Sequence, residues 1–155
     1  MAVAPIPPGY ASVTPYLIIR GAAKAIEFYQ RALGGGELFR LDSPDGTIGH
    51  AEIKIGNSPI MLADGMGGYP DPLTLGGSAV SFMVYVPDVD AAFARAIAAG
   101  ATVKRPVADQ FYGDRTGTLA DPFGHVWSLG THVEDVAPEE IDRRFKEMMK
   151  PAAGA

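Results

Sequence analysis

The sequence predicts an α+β chain of two βαβββ modules, rich in antiparallel pairing, followed by one further helix. Three observations predict it. A strand pattern, Thr14-Pro15-Tyr16-Leu17-Ile18-Ile19, leads into a helical pattern from Lys24 to Leu33, and the same order returns as Ser81-Phe82-Met83-Val84-Tyr85-Val86 leading into Val89 to Ala99. Both helical patterns stop at glycine, Gly34-Gly35-Gly36 in the first and Gly100 in the second. The offset of 67 residues persists, because Ile60-Met61-Leu62 falls opposite Trp127-Ser128-Leu129. A supersecondary unit used twice with few shared letters implies two half-domains facing a common cleft.

Residues 1–11 form a proline-rich arm, expected to be extended. The first module, about residues 12–64, reads as strand 12–20, helix 22–34 and strands 37–42, 47–55 and 59–63. Ser43-Pro44-Asp45-Gly46 and Gly56-Asn57-Ser58 carry the residues that hairpin turns demand. Residues 64–78 hold five glycines and two prolines, which predicts a linker, with Met66-Gly67-Gly68-Tyr69 as the candidate lid. The second module, about residues 79–131, reads as strand 79–86, helix 88–99 and strands 102–107, 114–120 and 125–130. Asp88 is placed to cap its helix, and Asp121-Pro122-Phe123-Gly124 fits a type I turn.

Residues 1–136 therefore form one domain, 137–150 a C-terminal amphipathic helix and 151–155 a tail. Pro138, Glu139 and Glu140 suit that helix's first turn. Ile141, Phe145, Met148 and Met149 make an apolar stripe that must cover either this core or a partner subunit.

A chain of 155 residues can bury one core, whereas a single module is too small to be stable alone. A net charge of −5 without a basic stripe argues against nucleic acid as a partner. The absence of cysteine excludes a disulfide scaffold, a thiol nucleophile and a sulfur-ligated zinc site. It is compatible with the cytoplasm, which is the expected location. The start, Met1 to Gly9, lacks the basic and continuous apolar regions of a signal peptide. No apolar run approaches the ~20 residues of a membrane helix, so no membrane partner is expected.

The repeat, with Ala25-Ile26-Glu27-Phe28-Tyr29 ending at Leu33-Gly34, Val86-Pro87-Asp88-Val89-Asp90 leading to Ala98-Ala99-Gly100-Ala101, and Asp121-Pro122-Phe123-Gly124-His125, resembles the vicinal oxygen chelate superfamily of glyoxalases, bleomycin resistance proteins and extradiol dioxygenases. Asp109-Gln110-Phe111-Tyr112-Gly113-Asp114-Arg115, continuing to Thr131-His132-Val133-Glu134-Asp135, is similar to its glyoxalase-like, PhnB-like subgroup. The resemblance covers about residues 10–136 and implies paired modules whose curled sheets enclose a cavity, within an expected homodimer. It also implies metal ligands on the first and fourth strand of each module. Carried onto this sequence, those positions are Thr14, Met61, Ser81 and Ser128. None is an imidazole or carboxylate, so no metal and no other cofactor is expected, and standard glyoxalase I chemistry is disfavoured.

Strand alternation sorts the rest. With Ala51, Ile53 and Ile55 against the helix, His50, Glu52 and Lys54 face the cavity. The same parity directs Thr14, Tyr16 and Ile18, and Ser81, Met83 and Tyr85, inward. The 67-residue register maps His50 to Gly117 and gives Arg115 the inward parity. The expected ligand-binding set is Thr14, Tyr16, His50, Glu52, Met61, Ser81, Met83, Tyr85, Arg115 and Ser128, a mixture typical of small-molecule pockets. His50 reads either as a general base or ligand anchor, or as the hydrogen-bonded partner of Glu52. Arg115 reads either as an ion-pair partner of Glu52 or as a bidentate holder of a carboxylate or phosphonate. His125, which shares Trp127's face, reads as turn packing, and His132 as structural or exposed.

The leading expectation is a metal-independent protein, similar to bleomycin resistance proteins, that binds a small organic ligand between its modules. The alternative is a lyase, isomerase or dioxygenase-like enzyme using His50 and Glu52 as catalytic candidates, with an unconventional divalent metal. A third reading, an interaction protein, rests on the stripe of the last helix.

Overall fold

The computed structural model describes residues 3–65 and 68–150. In chain order the elements are β1 (Tyr16–Ile19), α1 (Ala22–Leu33), β2 (Gly36–Asp42), β3 (Ile48–Ile55), β4 (Ser58–Asp64), α2 (Pro72–Leu75), β5 (Ser81–Tyr85), α3 (Val89–Ala99), β6 (Thr102–Asp109), β7 (Asp114–Ala120), β8 (Val126–His132) and α4 (Pro138–Met148). The strands form two separate four-stranded sheets, ordered β1-β4-β3-β2 (sheet 1) and β5-β8-β7-β6 (sheet 2). β1 runs parallel to β4 and β5 parallel to β8, while the remaining pairs are antiparallel. This is the expected α+β arrangement of two βαβββ modules with a C-terminal helix, its sheets not closed into a barrel. No helix among the described residues is long and apolar enough to cross a membrane.

Each helix forms because one face is apolar at helical spacing. On α1, Ala22, Ala25, Ile26, Tyr29 and Leu33 are buried, and on α3, Val89, Ala92, Phe93 and Ala96 are buried. Gly34 and Gly100 end them with φ of 67° and 119°, the left-handed conformation that only glycine adopts without strain. Asp88 caps α3 through the Ala91 amide, as its position predicted. The start of α1 has only Gly21, which carries no side chain to cap it. Its orphan amides at Gly21 and Ala22 are met instead by the Asp64 carboxylate at the end of β4. Thr131 sits 67 residues beyond Asp64 and does the same for α3, accepting from the Val89 amide.

The helices pack against one another. One continuous core contains both helices and the helix-side faces of both sheets. Trp127, Phe28 and Phe93 are buried in it. The Tyr29 ring lies 5.2 Å from the Trp127 ring, and Phe28 meets Phe123 edge-on at 6.0 Å, so aromatic contacts cross from module to module.

A single buried carboxylate ties these rings together. Asp121 accepts from the Phe123 and His125 amides at 2.9 Å each, from the Tyr29 hydroxyl at 2.7 Å and from Trp127 Nε1 at 2.9 Å. Burial, then the charge and hydrogen bond of Asp121, hold the Tyr29 hydroxyl well above its ordinary pKa. His125 completes the turn by placing Nε2 at 3.2 Å from the Ile18 carbonyl of β1, a packing role in keeping with its face.

The region expected to be a plain linker contains α2. Asp71 caps it by accepting from the Leu73 and Thr74 amides, and Pro72 occupies its first turn, a signature readable in Asp71-Pro72. The stripe on α4 is only partly covered. Phe145 stacks on Phe111 with centroids 5.7 Å apart, and Arg144 donates to the Phe111 carbonyl and to Glu134, while Met148 stays exposed.

Asp121→Ala is expected to destabilise the fold by ~3 kcal/mol or more, because it strands a buried phenol and indole N–H as well as two amides. Tyr29→Phe removes one donor of four and should cost about 1–2 kcal/mol. Denaturant unfolding measures both, and equal costs would contradict this division of roles.

Candidate functional site

The open face of sheet 1 gathers a chain of polar side chains. β3 places His50 and Glu52 two residues apart on that face, because Ala51 and Ile53 are buried against α1. His50 Nε2 lies 3.1 Å from Glu52 Oε1, and His50 Nδ1 lies 2.9 Å from the Tyr16 hydroxyl. Tyr10, from the N-terminal arm, donates to Glu52 Oε2. The Glu52 carboxyl is held below the usual carboxylate range, first by the Tyr10 hydroxyl and then by His50. The same bond raises the Tyr10 phenol. A carboxylate can only accept, so Nε2 carries the hydrogen and, in the neutral ring, Nδ1 accepts from Tyr16. The order is Tyr10 to Glu52 to His50 to Tyr16, in which Glu52 fixes the ring and Tyr16 ends the chain.

Tyr16 is 50% exposed and borders a cavity of about 470 Å³ with Ile18, Gly49, Ala63, Asp64 and Tyr69. Tyr69 belongs to the candidate lid, of which Met66 and Gly67 lie outside the described residues. Asp64 also accepts from the Ile48 amide, fixing the strand where its burial pattern breaks before His50.

The other expected ligand-binding residues are dispersed. Met61 sits beside Glu52 and Tyr16 in the register of sheet 1. Ser81, Met83 and Tyr85 line a cleft of about 910 Å³ at the module boundary, walled also by the arm and the β3–β4 turn. Ser128, with Met83, lines a smaller recess on sheet 2. Thr14 is half-buried ahead of β1, which begins at Tyr16 rather than at residue 12.

Arg115 departs from expectation. It is not on the open face but on the helix side, where it grips Asp90 of α3 with Nε and Nη2 at 2.8 Å each and Asp109 at 3.0 Å. The cause is a one-residue change of register. Ala51 pairs with Leu62, eleven residues on, whereas Gly117 pairs with Leu129, twelve residues on. The turn before β8 is one residue longer, so β7 matches β3 at an offset of 66 and His50 corresponds to Thr116 instead of Gly117. A one-residue slip in a strand exchanges its two faces. Glu52 therefore has no arginine, and its partners are Tyr10 and His50.

His132 ends β8, with Nδ1 2.6 Å from Asp114 and Nε2 2.9 Å from Asp135. Tyr85 donates to the same Asp114 at 2.7 Å.

With this geometry in place, the comparison with known proteins is decisive for the family. The description "Glyoxalase/Bleomycin resistance protein/Dioxygenase superfamily" matches residues 11–129. The chain belongs to this superfamily. An uncharacterized protein of Mycobacterium bovis is 44% identical over 135 residues, covering 84% of this chain and 89% of that protein. The crystal structure of TioX from Micromonospora sp. ML1 is 27% identical with a TM-score of 0.64, covering 82% of this chain and 100% of TioX. The PhnB protein of Bacillus cereus, described as a putative 3-demethylubiquinone-9 3-methyltransferase, is 20% identical with a TM-score of 0.62, covers 78% of this chain and 99% of its own, and shares the fold.

The superfamily's metal enzymes raise the question of a divalent ion. The donors at Thr14, Met61, Ser81 and Ser128 are hydroxyls and a thioether, which do not fit a catalytic divalent ion. Among the described residues, no group of three or more His, Asp or Glu is placed to hold one. His50 and Glu52 are directed at each other and at two tyrosines.

Tyr10 had no signal in the sequence beyond an aromatic residue in a proline-rich arm. Only the return of the arm onto β3 shows its role. Tyr10→Phe is expected to raise the Glu52 pKa towards its ordinary value. Because the folded pKa is depressed, Glu52 contributes stability above its unfolded pKa and loses it as pH falls through the folded pKa. The variant should lose part of that contribution, with the Glu52 midpoint at higher pH in a carboxyl NMR titration. An unchanged midpoint would show that the arm does not hold this carboxylate.

Proposed function

We propose that this protein binds a small organic ligand on the open face of sheet 1 without a metal, anchored by the His50–Tyr16 end of the polar chain. The observation that supports this reading is the chain itself. Tyr10, Glu52, His50 and Tyr16 are linked end to end, and the terminal hydroxyl is exposed beside a cavity of about 470 Å³. That volume is in the range of small-molecule sites. Ile18 and Ala63 supply apolar surface, and the Tyr16 hydroxyl, oriented by His50, keeps a lone pair to accept a directional hydrogen bond from the ligand. Superfamily membership is consistent with this, since the superfamily's name includes bleomycin resistance proteins.

A second reading, turnover by proton transfer, is favoured by one feature. Glu52, held ionised, orients His50 so that Nδ1 faces the Tyr16 hydroxyl, the arrangement of a carboxylate-oriented base acting on an exposed acid. In that reading Tyr16 delivers or removes a proton at the ligand and His50 restores it, as a lyase or isomerase would require.

The functional unit in this proposal is a homodimer. Its support is the exposed apolar surface on the open faces and sheet edges, including Tyr16, Phe39, Leu41, Met83 and Tyr85. Covering such a face is what a second layer normally does. Light scattering is expected to give two chains per particle, and a monomer at every concentration would remove this part of the proposal.

Thermal-shift screening of small organic molecules, followed by titration, tests the site. Tyr16→Phe should weaken a true ligand about tenfold through the lost hydrogen bond, and His50→Gln should weaken it less, by loosening the Tyr16 hydroxyl. If affinity is indifferent to both substitutions, the ligand lies elsewhere. If His50→Ala retains affinity while a measured conversion stops, the protein is an enzyme.

A further inference from the structure

Arg115 is committed to α3, yet the open face of sheet 2 carries another arginine. A polar recess of about 180 Å³ is bounded there by Arg105, Gln110, Tyr112, Thr116, Thr118 and Ser128. It is smaller than the ~300–1,000 Å³ of a drug-sized site, so it suits a head group in place of a whole ligand.

Several features direct this recess towards an anion. Among the described arginines, Arg105 alone donates no hydrogen bond to the protein; the others reach a carboxylate or a carbonyl. The β6–β7 register shifts on both sides of it, between Val103 and Arg105 and again between Arg105 and Ala108. Pro106, which cannot donate to a ladder, follows it on this edge strand. Such irregularities bend a strand and re-aim a side chain. Arg105 is opposite Thr118, so the two share the open face. Thr118 Oγ1 and Ser128 Oγ lie 2.9 Å apart. One hydroxyl donates to the other, which keeps its own hydrogen for a ligand. Gln110 Nε2 uses one hydrogen on the Ala108 carbonyl and has a second. The nearby acids are already engaged, Asp109 by Arg115 and Asp114 by Tyr85 and His132.

We propose that this recess is a subsite for an anionic oxygen group, a phosphate, phosphonate or carboxylate, held by the Arg105 fork, by the Thr116 hydroxyl and by whichever of Thr118 and Ser128 keeps its hydrogen. The subsite is on the other sheet from the His50 chain and does not depend on the reading of that chain.

The test is an NMR titration of the full chain with inorganic phosphate, methylphosphonate and acetate. Saturable shifts are expected at Arg105, Thr116, Thr118 and Ser128, and preference among the probes tells a tetrahedral group from a planar one. Arg105→Gln should weaken binding roughly ten- to a hundredfold, the scale of a charged hydrogen-bonded contact. Arg105→Lys should lose less, keeping charge without the fork. Lys104→Gln, at an exposed neighbouring residue, should leave binding unchanged. Absence of saturable binding by all three probes overturns the proposal. So does an equal loss in Lys104→Gln, which means diffuse surface attraction, or a loss in His50→Gln matching that of Arg105→Gln, which places the anion on sheet 1.

Discussion

The carboxylate of Asp121 is the constraint on which the two modules depend. It lies in the turn before β8 and is 6% exposed. A bare charge at that depth would be unfavourable by several kcal/mol, so it requires its full set of donors. Two come from its own turn and shape it, one from the Trp127 indole of the same module and one from Tyr29 of the other module's helix. Hydrophobic burial draws the helix-side faces together, but it is non-directional. The Asp121 bonds give the contact its geometry, setting α1 against β8 and, through His125, fixing β1 beside sheet 2.

From that joint the repeat can be followed outward. Asp64 and Thr131, 67 residues apart, meet the first amides of α1 and α3, so the last strand of each module secures the helix of the same module. The chemistry differs, a carboxylate in one and a hydroxyl in the other, while the position is kept. The repeat breaks where the β7–β8 turn takes one more residue than the β3–β4 turn. The break has a packing consequence. The position facing the helix is Ala51 in sheet 1 and Gly117 in sheet 2, where an added Cβ would stand 2.7 Å from the Phe93 ring. The glycine lets the Phe93 ring of α3 rest directly on the sheet.

The candidate site was readable in part. His50 and Glu52 were legible because Ala51, Ile53 and Ile55 fix the parity of β3 locally. Arg115 was misplaced because its parity was inferred from the other module, across a turn whose length is not repeated. Tyr10 and Arg105 were not legible at all. The first acts through a contact across 42 residues, and the second through strand irregularities that no alternation rule describes. The spread of the remaining candidates over three clefts follows from two sheets that stay separate in one chain.

By itself the sequence determined the order of elements, the helix ends at Gly34 and Gly100, the Asp88 cap, the hairpin turns and the apolar face of each helix. These depend on backbone preferences and periodicity within a few residues of each position. Tertiary structure alone decided what Asp121 and Asp64 bind, which face of β7 carries Arg115 and which residues complete the His50 chain. The physical reason is that a side chain's hydrogen-bond partners depend on which distant segments packing brings within about 3 Å, and a one-residue slip in a strand is enough to exchange them.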